Sequence, residues 1–140
     1  MPTETLIHAY YAAFTGNDRE AMLDLLADDV VHDVNQGPRE VGKDAFRRFL
    51  AHMDHSYRET LTDIVIMVDP SDTRAAAEFM VEGEYRATDA GLPEARGQRY
   101  SLPAGAFFAV EDGLITRITT YYNLQEWVRQ VGEARQEQAG

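Results

Sequence analysis

The sequence predicts an α+β fold: three helices in the amino-terminal half packed on a strongly curved, mostly antiparallel sheet, with a short helix at the carboxyl end. Three observations predict it. Apolar residues recur at three- and four-residue intervals up to about residue 54. From residue 60 to residue 122 the pattern changes to four long alternating segments separated by turn sequences. Pro103 falls inside the third of these, where it cannot donate a ladder hydrogen bond. With Gly105 beside it, a bulge or sharp bend is expected there, curling the sheet.

Taken in order, residues 3–15 place Leu6, Ile7, Tyr10, Tyr11 and Phe14 at helical spacing, with Thr3 as a cap and Gly16-Asn17 as a stop. Asn17 or Asp18 can cap a second helix, with Ala21, Met22, Leu25 and Leu26 on its apolar side, ending near Asp28-Asp29. Residues 30–35 alternate as a short strand, Val31, Asp33 and Asn35 one way and Val30, His32 and Val34 the other, before Gln36-Gly37-Pro38 turns the chain. Gly42 precedes a third helix, residues 43 to about 54, with Phe46, Phe49, Leu50 and Met53 along one side. Residues 60–69, 73–88, 97–110 and 114–122 then form an antiparallel meander. Leu124, Trp127, Val128 and Val131 mark the closing helix, and a polar, frayed tail is expected from Gly132 onward. One domain over residues 1–140 accounts for this pattern.

A chain of 140 residues can bury roughly two-thirds of its unfolded surface around one core. No run approaches the ~20 consecutive apolar residues of a membrane span, so no membrane partner is expected. The opening MPTETLIHAYY lacks a basic stretch ahead of an apolar one; it reads as the start of the first helix, and the cytoplasm is the expected location. The absence of cysteine excludes disulfides, thiol nucleophiles and thiolate metal sites. A net charge of -11, spread along the chain, argues against nucleic acid, whose phosphates need clustered Lys and Arg.

Certain strings are more specific than the pattern. They are Leu26-Ala27-Asp28-Asp29-Val30 running into Val31-His32-Asp33, the helix start Gly42-Lys43-Asp44-Ala45-Phe46, and Asp112-Gly113-Leu114-Ile115 ahead of Tyr121-Tyr122-Asn123-Leu124. Through these and the order of its elements the chain resembles, over almost its whole length, the NTF2-like superfamily, and within it the SnoaL-like, ketosteroid-isomerase-related group of small proteins. The resemblance implies a cone-shaped fold with an apolar pocket at its open end, a small apolar molecule as partner, and a homodimer formed through the outer sheet face.

Asp33 lies nine residues before Gly42, the position at which the ketosteroid isomerases it resembles carry the aspartate that moves a proton beside a carbonyl. On a strand beside Val31 and Val34, an Asp facing the pocket would be partly desolvated and its pKa raised from about 3.9, yet still ionised at pH 7, which suits a general base. The plainer alternative ties Asp33 to donors at the strand end. Tyr10 falls, with a one-residue gap, where the isomerases place the donor to the enolate oxygen, although it also satisfies an ordinary core pattern. Asn35, two residues past Asp33, can orient a ligand oxygen or serve the turn. Phe14, Phe79, Phe107, Tyr121 and Trp127 are expected to supply apolar substrate-binding surface. His32, on the other face, is expected at the surface or against a helix. Glu78, Glu82 and Glu84 line one side of a long strand, most of them facing water, while Glu78, between Ala76 and Met80, is expected to be enclosed in a structural ion pair with Arg99 or Arg117.

The chain also departs from these relatives. The isomerases' second oxyanion donor sits on the strand that here reads Leu102-Pro103-Ala104-Gly105-Ala106-Phe107, which offers no donor side chain, so steroid isomerisation proper is not expected. The related epoxide hydrolases need an Arg between two acids; those positions fall at Phe79, Val81 and Thr120, only Asn35 matches, and Asp33 stands where they have Tyr. His8, His52 and His55 lack an obvious third ligand, and no phosphate-cradling loop or dinucleotide fingerprint occurs, so neither metal nor cofactor is implied. Two functional readings remain: an enzyme that isomerises or cyclises an apolar carbonyl compound with Asp33 as base, and a non-catalytic ligand-binding or dimerisation module. An Asp33 outside the pocket, or held by a fixed arginine, would favour the second.

Overall fold

In the computed structural model, the described residues are 1–139, with side chains through Gly132. The chain runs α1 (Thr3–Thr15), α2 (Arg19–Asp24), β1 (Leu26–Asp33), β2 (Arg39–Val41), α3 (Lys43–Ser56), β3 (Tyr57–Val68), β4 (Arg74–Tyr85), β5 (Gln98–Glu111), β6 (Leu114–Tyr122) and α4 (Leu124–Ala139). The tail expected to fray from Gly132 onward is instead the continuation of α4, helical as far as Ala139. Among the described residues no helix is long and apolar enough to cross a membrane.

Asp18 starts α2 by accepting a hydrogen bond from the Ala21 N–H at 3.0 Å. That helix ends at Asp24, short of the expected Asp28-Asp29, because Leu26 already pairs with Ile115 of β6. Gly42 stands ahead of α3 with φ at 104°, a backbone shape that glycine adopts without strain. The six strands are ordered β2-β1-β6-β5-β4-β3, with β1 parallel to β6 and every other pair antiparallel. β2, which periodicity did not predict, is a three-residue edge strand on β1. The meander β3 to β6 is as expected. The helices and sheet enclose a core of Leu6, Ile7, Met22, Leu23, Leu26, Val30, Phe46, Tyr85, Phe108, Ile115, Trp127 and Val131.

Pro103 introduces no bulge. Pairing between β4 and β5 keeps one register from Arg74↔Ala109 to Tyr85↔Gln98, with no bulge at the proline. The register shifts lie instead between Leu26 and Val31 in β1, between Thr62 and Val65 in β3, and between Ala109 and Val110 in β5. The reason is visible at Ser101, whose N–H and C=O both meet the Gln130 side chain of α4, each at 2.8 Å. Backbone groups two residues apart on a strand point the same way, so Pro103 lacks its N–H on the side away from β4, just past the last β6 pair, Ala104↔Tyr122. Nothing there needs a donor.

The shift in β3 inserts one extra residue around Asp63, whose φ is 55°. Before it Tyr57, Glu59 and Leu61 face inward; after it Ile64, Ile66 and Val68 do, leaving Val65 and Met67 exposed on the outer face. Phe107 on β5 and Tyr121 on β6 share that outer face, 48% and 57% exposed, with ring centroids 6.0 Å apart. Glu82 is exposed there, as expected; Glu78, expected to be enclosed in an ion pair, is exposed as well, because it stands on the outer face between Val65 and Gly105.

Candidate functional site

Between the concave sheet face and helices α1, α3 and α4 lies a cavity of about 620 Å³. Its wall is largely aromatic and aliphatic, including Tyr10, Tyr11, Phe14, Phe79 and Trp127. Five of the residues expected at the site meet in it: Tyr10, Asn35, Phe14, Phe79 and Trp127. Tyr10 packs edge-on against Tyr11 at 5.3 Å and Phe108 at 5.8 Å, and burial pushes its phenol well above the usual range, keeping it a neutral donor. Trp127 packs against Tyr57, Tyr85 and Tyr100. Asn35 lies past the end of β1, where strand alternation no longer binds it, and donates from Nδ2 to the Tyr122 carbonyl at 3.0 Å.

Three expected residues lie elsewhere. Phe107 and Tyr121 project from the outer face, because their strand neighbours Phe108 and Tyr122 take the inward positions. Asp33 also faces outward. Its strand partner Thr119 sits opposite Phe107, and alternation through Val30, His32 and Val34 gives the inward side of β1 to those three. The Asp33 carboxylate accepts from Arg39 Nε at 2.6 Å, Arg39 Nη2 at 3.1 Å and Thr119 Oγ1 at 2.7 Å. Those hydrogen bonds hold its pKa at about 2, the opposite of the upward shift expected for a desolvated base. His32 is correspondingly inside, 4% exposed against the helix α3, on the face expected for Asp33.

Polar groups also enter the cavity from β3, β5 and the β4–β5 loop. Glu59 of β3, Gly83 of β4 and Tyr100 of β5 are paired in one row across the sheet. The Tyr100 ring lies over Gly83, where a Cβ would come within 2.2 Å of it, and its hydroxyl donates to Glu59 Oε2 at 2.5 Å. Glycine at that position is what lets the tyrosine span two strands. Burial raises the Glu59 pKa above the ordinary carboxyl value, against smaller downward pulls from the Tyr100 hydrogen bond and the Arg19 charge. Burial likewise pushes the Tyr100 phenol far up, so the pair enters the working pH range with Tyr100 protonated and Glu59 closer to accepting a proton than an ordinary glutamate.

A second constellation closes the rim. Tyr57 donates to Asp89 Oδ2 at 2.7 Å, and His52 Nε2 stands 3.0 Å from the same oxygen, fixing the β4–β5 loop against α3. The Asp89 N–H donates to the Tyr85 hydroxyl at 2.9 Å, and that hydroxyl donates to the Pro93 carbonyl at 2.6 Å. Across the mouth, Arg19 grips Asp54 and its guanidinium lies 5.1 Å from the centre of the Phe14 ring. No group of three or more His, Cys, Asp or Glu among the described residues is arranged to hold a metal ion.

Sequence reasoning missed Glu59 because it started β3 at Thr60. The signal was present: Tyr57, Glu59 and Leu61 alternate with Arg58, Thr60 and Thr62, setting one acid on an apolar face.

The SnoaL-like domain family matches residues 7–118. A candidate polyketide cyclase from Xanthomonas campestris pv. campestris is 57% identical, with a TM-score of 0.90 over 93% of this chain and 96% of that one. A candidate polyketide cyclase from Pseudomonas putida KT2440 is 54% identical, with a TM-score of 0.91 over 93% and 98%. An epoxide hydrolase of limonene-epoxide-hydrolase type from M. tuberculosis, 18% identical with a TM-score of 0.72 over 92% and 88%, shares the fold. No curated protein matches the chain.

Proposed function

The chain belongs to the SnoaL-like domain family, a fold of small-molecule isomerase and cyclase type, and from that premise we propose that it moves a proton on an apolar carbonyl compound held in the cavity. The outcome is isomerisation or cyclisation, and Glu59 takes the base's part assigned above to Asp33. The observation that carries this reading is the Glu59–Tyr100 pair, a carboxyl with a raised proton affinity set in an aromatic wall. In the step, a C–H bond beside the substrate carbonyl breaks, the proton goes to Glu59, and the electron pair moves onto the carbonyl oxygen. Glu59 then returns the proton to another carbon, or the enolate carbon adds to a second carbonyl of the same molecule, closing a ring as that C=O π bond breaks, and Glu59 gives the proton to the alkoxide formed. Tyr100 hydrogen-bonds the second carboxyl oxygen throughout, and the Tyr10 hydroxyl, which makes no hydrogen bond to the protein among the described residues, is available to the developing oxyanion.

A positioned base supplies about 10²- to 10⁴-fold. Deuterium uptake from heavy water into enolisable terpenoid, steroid and polyketide-like ketones, read by mass spectrometry, should therefore fall at least about 100-fold in Glu59→Gln and stay unchanged in Asp33→Ala. The reverse pattern would return the role to Asp33. Uptake no faster than background with the unaltered chain favours the second reading, a binding module, which the Arg39 clamp on Asp33 also supports.

The partner expected on the outer sheet face is a second copy of this chain. Val65, Met67, Phe107 and Tyr121 form an exposed apolar strip across that face. Light scattering should give a dimer that Phe107→Glu converts to monomer; a monomeric unaltered chain at micromolar concentration ends this part of the proposal. A cytoplasmic setting belongs to the same reading.

A further inference from the structure

His32 is a titratable group of the cavity wall that the proton-transfer step does not use. Its ring stands edge-on to Phe46 at 5.0 Å and to Phe49 at 4.4 Å, and it lines the cavity. Nδ1 is sealed from solvent and has no hydrogen-bond partner among the described residues. Its nearest charged neighbour is Glu40 Oε1 at 3.9 Å, directly opposite on β2. Burial lowers the His32 pKa, outweighing the upward pulls of Glu40 and Asp33, so the ring is neutral at pH 7. A neutral imidazole carries one N–H and one lone pair. A carboxylate attracts the N–H and repels the lone pair, which sets the proton on Nδ1 and leaves Nε2, on a ring that lines the cavity, as the acceptor.

We propose that His32 Nε2 accepts a hydrogen bond from a hydroxyl of the bound compound, so that the ligand of this cavity is an enol, a phenol or an alcohol as well as a carbonyl compound. Phe46 and Phe49 hold the ring in place without offering it a donor, which leaves that acceptor for the ligand. The proposal rests on the reading of the cavity as a small-molecule site, but not on Glu59 moving a proton.

The test uses the whole chain and two probes, 2-naphthol and its methyl ether 2-methoxynaphthalene, which differ in the ability to donate. Long-range nitrogen-15 NMR on histidine-labelled protein should show the Nδ1–H tautomer, with the Nε2 resonance moving when 2-naphthol is added and not when the ether is. One hydrogen bond to a neutral acceptor corresponds to about three- to tenfold tighter binding of 2-naphthol over the ether. That ratio should fall toward one in His32→Phe, which keeps the ring packing, and Glu40→Gln should raise the fraction of the Nε2–H tautomer. An Nε2–H tautomer in the free protein, an undiminished ratio in His32→Phe, or no binding of either probe at millimolar concentration overturns the proposal. Retained discrimination together with absent deuterium exchange overturns only the proton-transfer reading.

Discussion

The two faces of one sheet treat the same residue types in opposite ways. On the concave face Glu59 is enclosed, bonded to a tyrosine and pushed toward its protonated form; on the convex face Asp33 is bonded to an arginine and a threonine and held firmly ionised. Phe79 lies in the cavity wall at 8% exposure while Phe107, one strand away, is 48% exposed. Chemical identity therefore says little here until the face is known. Desolvation without a cationic partner readies a carboxyl for proton traffic, whereas a bidentate guanidinium removes it from that traffic.

The largest expected separation between the faces is in stability. Phe79→Ala should lower it by about 3 kcal/mol, as for a buried aromatic, whereas Phe107→Ala should change it by less than about 0.5 kcal/mol in a monomer. Chemical denaturation measures both, and a Phe107→Ala cost approaching that of Phe79→Ala would mean that another surface covers the convex face. Gly83→Ala comes next. The added methyl collides with the Tyr100 ring, so a loss of about 1–3 kcal/mol is expected together with loss of the Tyr100–Glu59 bond and of exchange activity; unchanged activity would sever Tyr100 from the proposed chemistry.

Smaller effects should appear in pH dependence, with opposite signs on the two faces. The Glu59 pKa is raised in the fold, so its stabilising contribution is present below the unfolded value of 4.5 and is lost as pH rises through the folded value. Glu59→Gln should accordingly be more stable than the unaltered chain at neutral pH and lose that advantage on acidification. The Asp33 pKa is depressed, so its contribution is present above the unfolded value of 3.8 and disappears as pH falls through about 2. Asp33→Asn should cost a little stability at neutral pH and nothing below about pH 2. Both signs can be read from denaturation midpoints across an acid series.

How much of this was legible from the sequence follows the same division. Helix α1 and strand β6 have the bounds that periodicity implied, since their apolar spacing and flanking turn residues leave little choice. In β1 the alternation itself was right, but a strand pattern gives two faces without naming the inner one. Val30-His32-Val34 and Val31-Asp33-Asn35 each contain a charged or polar group between less polar ones, and only the neighbouring strand and α3 decide between them. Tyr121 and Tyr122 posed the same choice. The phase change around Asp63 and the inward reach of Asp89 depend on backbone geometry in a bulge and a loop, for which single residues carry weak signals. Pro103 misled because its missing donor was judged without knowing where β6 stops.

That stopping point has a further bearing on how the chain behaves when it is damaged. Gln130 answers the open edge of β5 with the two hydrogen bonds another strand would otherwise make. If α4 were clipped or displaced, the result would not be merely a looser core around Trp127 and Val131. An unpaired stretch of strand would stand ready to accept the edge of another molecule, so early failure should take the form of self-association at an intact sheet, ahead of unfolding.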